Sequence, residues 1–156
     1  MQFILVDRVT ELEKGQRIRA IKAVSLAEEY LADHFPDFPV LPGVLMIEAM
    51  VQTAALLVRV TNDFAQSIVV LREARNIKFR SFVKPGHLLQ LSLEAKSITA
   101  NESSFRGVAT VEGSQMVEAR LTLGHFNLAD ADEKMAHVDR RIIAEMISRA
   151  QRLGAC

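Results

Sequence analysis

The stretch Gly43-Val44-Leu45-Met46-Ile47-Glu48-Ala49-Met50-Val51-Gln52-Thr53-Ala54-Ala55-Leu56-Leu57-Val58-Arg59-Val60 decides the fold. Strong helix-formers dominate it and apolar residues fall on nearly every face, so it predicts one helix that other elements must wrap. The longer apolar run from Val40 to Val60 approaches membrane-spanning length, but Pro42, Gly43, Glu48, Gln52 and Arg59 interrupt it. Those interruptions disfavour a lipid-exposed span and favour a buried core helix, with no membrane insertion.

Working outward, the wrapping is written on both sides. Phe3–Val9 and Arg17–Val24 are rich in β-branched residues and predict two antiparallel strands, joined through Thr10–Gln16 with its Lys14-Gly15 pair. Ser25–Tyr30 suits a short helix, and three prolines in Leu31–Pro42 forbid regular structure and stiffen a long loop. Downstream, Ser67–Arg72 and Asn76–Val83 predict two strands before a Lys84-Pro85-Gly86 turn. In Leu89–Ser97, apolar Leu89, Leu91, Leu93 and Ala95 alternate with Gln90, Ser92, Glu94 and Lys96, as in a strand with one buried face. Phe105–Val111 and Val117–Leu123 repeat the pattern and predict a hairpin turning at Gly113-Ser114. After Phe126 the spacing changes to Met135, Val138, Ile142, Met146, Ala150 and Leu153, the three-to-four period of an amphipathic helix. The expected class is α+β: a bent antiparallel sheet around one central helix (residues 1–127), with a C-terminal helical extension (128–156) packed on the same domain.

Composition narrows the partners. A chain of 156 residues, 49% hydrophobic, suits one domain with a substantial core. Nineteen basic and nineteen acidic side chains balance, so no bulk attraction to nucleic acid or an anionic membrane is expected. Cys156 is the single cysteine, which fits a reducing, cytoplasmic compartment, and no export signal is evident at Met1–Asp7.

Within the decisive helix the oddity is Glu48, one turn after Val44 and one turn before Gln52 on the same face. A buried carboxyl is expensive to ionise, so Glu48 reads as a proton donor, with Gln52 placed to orient it. His34 precedes the helix on the proline-braced loop, where a neutral imidazole is a plausible base. Gly43 opens the helix, and its amide has no intrahelical acceptor, which suits a carbonyl oxygen gaining negative charge. Each residue also has an ordinary reading: a packed histidine, a carboxylate at a subunit contact, a helix-start glycine and a satisfied core amide.

Taken together, His34-Phe35-Pro36, Pro39-Val40-Leu41-Pro42-Gly43-Val44-Leu45 and Glu48-Ala49-Met50 resemble the FabZ-type 3-hydroxyacyl-acyl carrier protein dehydratases. The likeness runs from Phe3 to about Phe126 and includes Leu5-Val6-Asp7-Arg8-Val9, Lys78-Phe79-Arg80 and Pro85-Gly86. It implies a hot-dog fold and a homodimer whose active sites combine the histidine of one chain with the glutamate of the other, with a trimer of dimers as a further step of assembly. By the same resemblance His34 removes the C2 proton, Glu48 assists loss of the C3 hydroxyl, the Gly43 amide holds the thioester carbonyl, and the Val40 carbonyl accepts from the other nitrogen of His34. No cofactor is implied beyond the phosphopantetheine of acyl carrier protein, which carries the substrate. That carrier is acidic in the family's systems, and Lys78, Arg80 and Lys84 are candidates to meet it.

The chain departs from the family pattern at Asp33, where glycine is customary, at Ser81-Phe82 and at His87 after Pro85-Gly86. Relatives also carry an upstream helix, so part of the usual tunnel cover is expected to be missing here. Asp33 adds a carboxylate next to the proposed base, and the other changes bear on chain-length preference and carrier recognition. His87, His125 and His137 lack the spacing of a zinc site, and no metal is expected. A hot-dog thioesterase and a catalytically silent acyl-binding subunit remain open alternatives.

Overall fold

The structure, a computed structural model, describes residues 3–156. Its elements are β1 (Arg8–Glu13), β2 (Arg17–Ala23), α1 (Gly43–Thr61), β3 (Ile68–Phe79), β4 (Leu88–Ile98), β5 (Glu102–Val111), β6 (Ser114–Phe126) and α2 (Ala136–Leu153). The six strands form one antiparallel sheet in the order β1-β2-β4-β5-β6-β3. After β2 the chain passes through α1 to the far edge, lays down β3, and returns to place β4 beside β2. That route carries α1 across the sheet, which bends around it and meets it from β2 through β6. This is the architecture expected from the sequence.

The helix is wrapped because its side chains demand it. Met50, Ala54 and Leu57 are fully buried and meet the inward faces of the strands, represented by Leu91, Leu93, Phe105 and Leu121. Each large apolar side chain so buried contributes roughly 1.5–3 kcal/mol. Thr53, a weak helix-former, is accommodated because its hydroxyl donates to the Ala49 carbonyl one turn back (2.8 Å). Gly43–Thr61 is long and apolar enough to cross a membrane, yet 67% of that window is buried inside the protein.

The structure corrects several sequence expectations. Strand β1 starts at Arg8 rather than Phe3 and runs on to Glu13, so the hairpin is tighter than expected. Residues 3–7 lie outside the strand: the Leu5 amide donates to Gln52 Oε1 (2.9 Å), while Asp7, at a bend, donates its amide to the Ile21 carbonyl (2.8 Å) and its carboxylate accepts from the Ala23 amide (2.7 Å). The short helix after β2 is a single 3-10 turn at Glu29–Ala32. The two strands expected at 67–72 and 76–83 are one strand, β3, interrupted by irregularities between Leu71 and Glu73 and between Arg75 and Lys78, with Asn76 at φ 52°. Such bulges shift the alternation and disguise one strand as two. The β5–β6 turn is Glu112-Gly113, not Gly113-Ser114: both residues have positive φ, as a two-residue hairpin turn requires, and Ser114 already pairs with Val111.

Helix α2 forms at the expected place and ends at Gly154, whose left-handed φ of 79° closes the last turn. Its apolar stripe is half-buried except for Ala150, which is fully covered. A carboxylate fastens it: Asp139 accepts from the Ser67 hydroxyl and from the Leu128 and Ala129 amides (both 2.9 Å). Burial pushes this carboxyl up, but the three hydrogen bonds outweigh that and hold it below the usual range.

Candidate active site

The loop from His34 to Pro42 is stiffened by more than its prolines. The Val40 amide donates to the His34 carbonyl (3.5 Å), and His34 Nδ1 lies 3.2 Å from the Val40 carbonyl. A carbonyl can only accept, so Nδ1 carries the hydrogen and Nε2 of a neutral ring presents a lone pair. The Phe35 ring packs on the imidazole with centroids 4.3 Å apart. Asp33 forms no ion pair with His34 among the described residues, so its proximity in sequence is not a charge contact in the structure.

Glu48 is only half-buried, which corrects the expectation of a carboxyl sealed in the core. The reason is that the sheet covers the opposite side of α1, leaving this face toward a cavity. Gln52 donates to Glu48 Oε1 (3.1 Å) and to the Phe3 carbonyl (2.8 Å), while its own Oε1 accepts from Leu5. The Leu5 amide can only donate and the Phe3 carbonyl can only accept, so the orientation of the Gln52 amide is dictated. The amino-terminal segment thus serves to fix Gln52, and through it Glu48.

Gly43 is the first residue of α1, after Pro42, and no side chain caps this helix end. Its amide has no acceptor within the helix. A Cβ at Gly43 would sit 2.8 Å from the Phe79 ring of β3, so close packing, not a special φ, requires glycine here. The amide therefore lies against an aromatic wall at the positive end of the helix.

His34 and Glu48 do not meet within one chain: no hydrogen bond joins them among the described residues, and the cavity lined by Glu48 and Gln52 does not include His34. At its other end that cavity is lined by Arg59 and Arg149, a pairing the sequence did not disclose beyond marking Arg59 as an interruption in the apolar helix. Lys78 and Arg80 lie together, sharing Glu118 with Arg106, whereas Lys84 sits apart, its Nζ 5.1 Å over the Phe38 ring. The remaining histidines are dispersed: His87 accepts from the Lys84 amide, His125 is buried against Ser103, and His137 contacts the Lys134 carbonyl.

The FabA-like domain family matches residues 1–124. The 3-hydroxyacyl-[acyl-carrier-protein] dehydratase FabZ of Erythrobacter litoralis is 43% identical over 121 residues, covering 76% of this chain and 80% of that protein. The Bacillus licheniformis FabZ is 37% identical over 131 residues, covering 84% and 89%. Among solved structures, the dehydratase heterocomplex ApeI:P of Xenorhabdus doucetiae superposes with a TM-score of 0.72 at 19% identity, covering 85% of this chain and 90% of that one. A hypothetical thioesterase from Streptococcus pneumoniae, solved with coenzyme A, gives 0.56 at 13% identity, covering 76% and 86%. At these identities the two structures speak for the shared fold alone. With a family match over most of its length and two such relatives, this chain belongs to the FabZ-type dehydratase family of FabA-like, hot-dog-fold proteins.

Proposed function

We propose that the protein dehydrates 3-hydroxyacyl-acyl carrier protein to trans-2-enoyl-acyl carrier protein in fatty acid biosynthesis, in the cytoplasm and with no cofactor beyond the carrier's phosphopantetheine. The observation that carries the reading is the His34–Val40 contact, which leaves Nε2 free to accept a proton. In the reaction Nε2 takes the C2 proton, and the C2–H electron pair becomes the new C2–C3 double bond as the C3–O bond breaks. Glu48 gives its proton to the departing hydroxyl, which leaves as water. The thioester oxygen gains negative charge on the way and rests on the Gly43 amide. Gln52 keeps the Glu48 carboxyl aimed, and the proton held by His34 returns to Glu48 through solvent before the next turnover.

The site is completed across a homodimer in this reading. Strand β3 has one partner, β6, and its other edge is open among the described residues. Val70, Leu71, Ile77 and Phe79 of that strand are exposed, which suits an apolar edge paired with a second copy. Pairing there brings a second α1 alongside the loop of His34. Lys78 and Arg80 flank Phe79, whose ring lies against Gly43, and are the candidates to meet an acidic carrier protein.

The test is enoyl–hydroxyacyl interconversion on carrier-bound substrates, comparing the parent with His34→Ala and Glu48→Gln. Each loss is expected to cost about 10²–10⁴-fold, the usual worth of a positioned acid or base. Release of free thiol instead would identify a thioesterase, and acyl binding without turnover would identify a silent subunit; either result overturns the proposal.

A further inference from the structure

The cavity that begins at Glu48 and Gln52 has a volume of about 230 Å³ and follows one face of α1 to Arg59. The eleven-residue advance from Glu48 to Arg59 corresponds to about 16 Å of helix. Its middle is apolar, walled by Val51 and Leu56 of α1, Val69 of β3, and Met146 and Leu153 of α2. The FabA-like match ends at residue 124, so the α2 wall lies outside the matched domain.

The far end is unlike the middle. Arg59 is 9% exposed, and its Nη1 donates to the carbonyls of Gln66 (3.3 Å) and Ser67 (3.0 Å). Arg149 of α2 lines the same end, and its Nε is buried with no acceptor among the described residues. No carboxylate pairs with either guanidinium among the described residues. Asp139, which reaches Ser67 from the same helix as Arg149, spends its oxygens on the Ser67 hydroxyl and two backbone amides. Burial, with the Arg149 charge beside it, lowers Arg59 to about 10, so Arg59 remains a cation at neutral pH. Two neighbouring cations and an orphaned donor at the end of an apolar cavity are costly unless an anion joins them.

We propose that the cavity takes an acyl chain bearing a carboxylate at its distal end, held by Arg149 and Arg59, with the thioester end at Glu48. The assignment of the thioester end rests on the dehydratase reading, and the anion site rests on the two arginines. A planar carboxylate matches the donor fork of a guanidinium, and Arg149, which lines the cavity, has a buried Nε with no acceptor of its own among the described residues. The polymethylene part lies along the apolar walls. Met146 and Leu153, two turns of α2 apart and each one turn from Arg149, set where that chain must end.

The probes are three pantetheine amides that cannot be turned over: azelaic acid with its distal carboxylate free, its methyl ester, and nonanoic acid. Binding to the full-length protein is measured by titration calorimetry, with free nonanoate as a separate ligand. The expected result is that the free distal carboxylate binds about tenfold or more tighter than the other two amides, the effect of one charge-assisted hydrogen bond. Arg149→Gln removes that preference, Arg149→Lys restores part of it, and His34→Ala leaves it intact, each variant being checked by its melting temperature. Equal binding of the three amides, or a preference that survives Arg149→Gln, overturns the proposal. Tight binding of free nonanoate without the amide preference assigns the arginines to a free fatty acid and also overturns it. Because no probe reacts, failure of the dehydratase assay leaves this result readable on its own.

Discussion

At the amino end of α1, Glu48 and Gln52 are half-exposed and the Gly43 amide is uncapped, whereas at the carboxyl end Arg59 is buried and already holds two carbonyls. Both ends point into regions the sheet does not cover, but they are built differently. The first is braced by the amino-terminal segment through Gln52, which holds the Glu48 carboxyl and leaves the Gly43 amide uncapped. The second is sealed by α2 and holds charge in place. In the proposed reading one helix thus provides a reactive end and an anchoring end, and the elements that close each are the ones farthest from α1 in the chain.

The sharpest way to break this contrast is to act on the reactive end, where His34→Ala or Glu48→Gln is expected to reduce turnover about 10²–10⁴-fold with little change in melting temperature. Between the two ends, Leu57 is fully buried and touches only core. Leu57→Ala is therefore expected to cost about 2–5 kcal/mol in urea unfolding while kcat of the folded fraction holds. If turnover collapsed in that variant instead, core and site would not be separable. Gln52→Ala lies between these cases. It frees Glu48 and strips the Leu5 amide and the Phe3 carbonyl of their partner, so kcat is expected to fall about tenfold and stability by about 1–3 kcal/mol. A variant with full kcat would show that Glu48 needs no aiming.

The smallest effect belongs to the anchoring side of the sheet. Burial holds the His125 imidazole below its ordinary 6.5, and the charges of Arg72 and Arg59 act in the same direction against the carbonyls of Ala100 and Thr99. A histidine whose folded value is depressed binds protons more readily in the unfolded chain. Its contribution is complete above about pH 6.5 and is lost as pH falls through that value toward the folded one. The melting temperature of the parent is expected to fall more steeply between about pH 7.5 and 5.5 than that of His125→Gln, which retains a partner for Ser103. Parallel curves would remove His125 from the account.

Much of the fold was legible because it rests on local periodicity. The apolar run at 43–60 and the alternation at Leu89–Ala95 each report their own burial, and both elements stand where the pattern puts them. What escaped depends on geometry that periodicity does not encode. The bulges of β3 break its alternation twice, so one strand looked like two. Residues 3–7 have strand-like composition, but Gln52, 47 positions beyond Leu5, takes the Leu5 amide out of the ladder. In the candidate site, the Gln52–Glu48 contact was legible from its one-turn spacing on a helix, and the His34–Val40 contact from the family resemblance. Arg59 and Arg149 were not, since ninety positions separate them and only the packing of α2 brings them to one cavity.

The most direct test of the central claim uses the two inactive variants together. If each active site joins His34 of one chain to Glu48 of another, unfolding and refolding an equal mixture of His34→Ala and Glu48→Gln makes half the dimers mixed, each with one intact site of two. The account predicts recovery of about a quarter of the parent dehydratase activity, with nothing recovered when either variant is refolded alone. A mixture as inactive as its components would contradict a site shared between protomers and with it the role assigned to the open edge of β3.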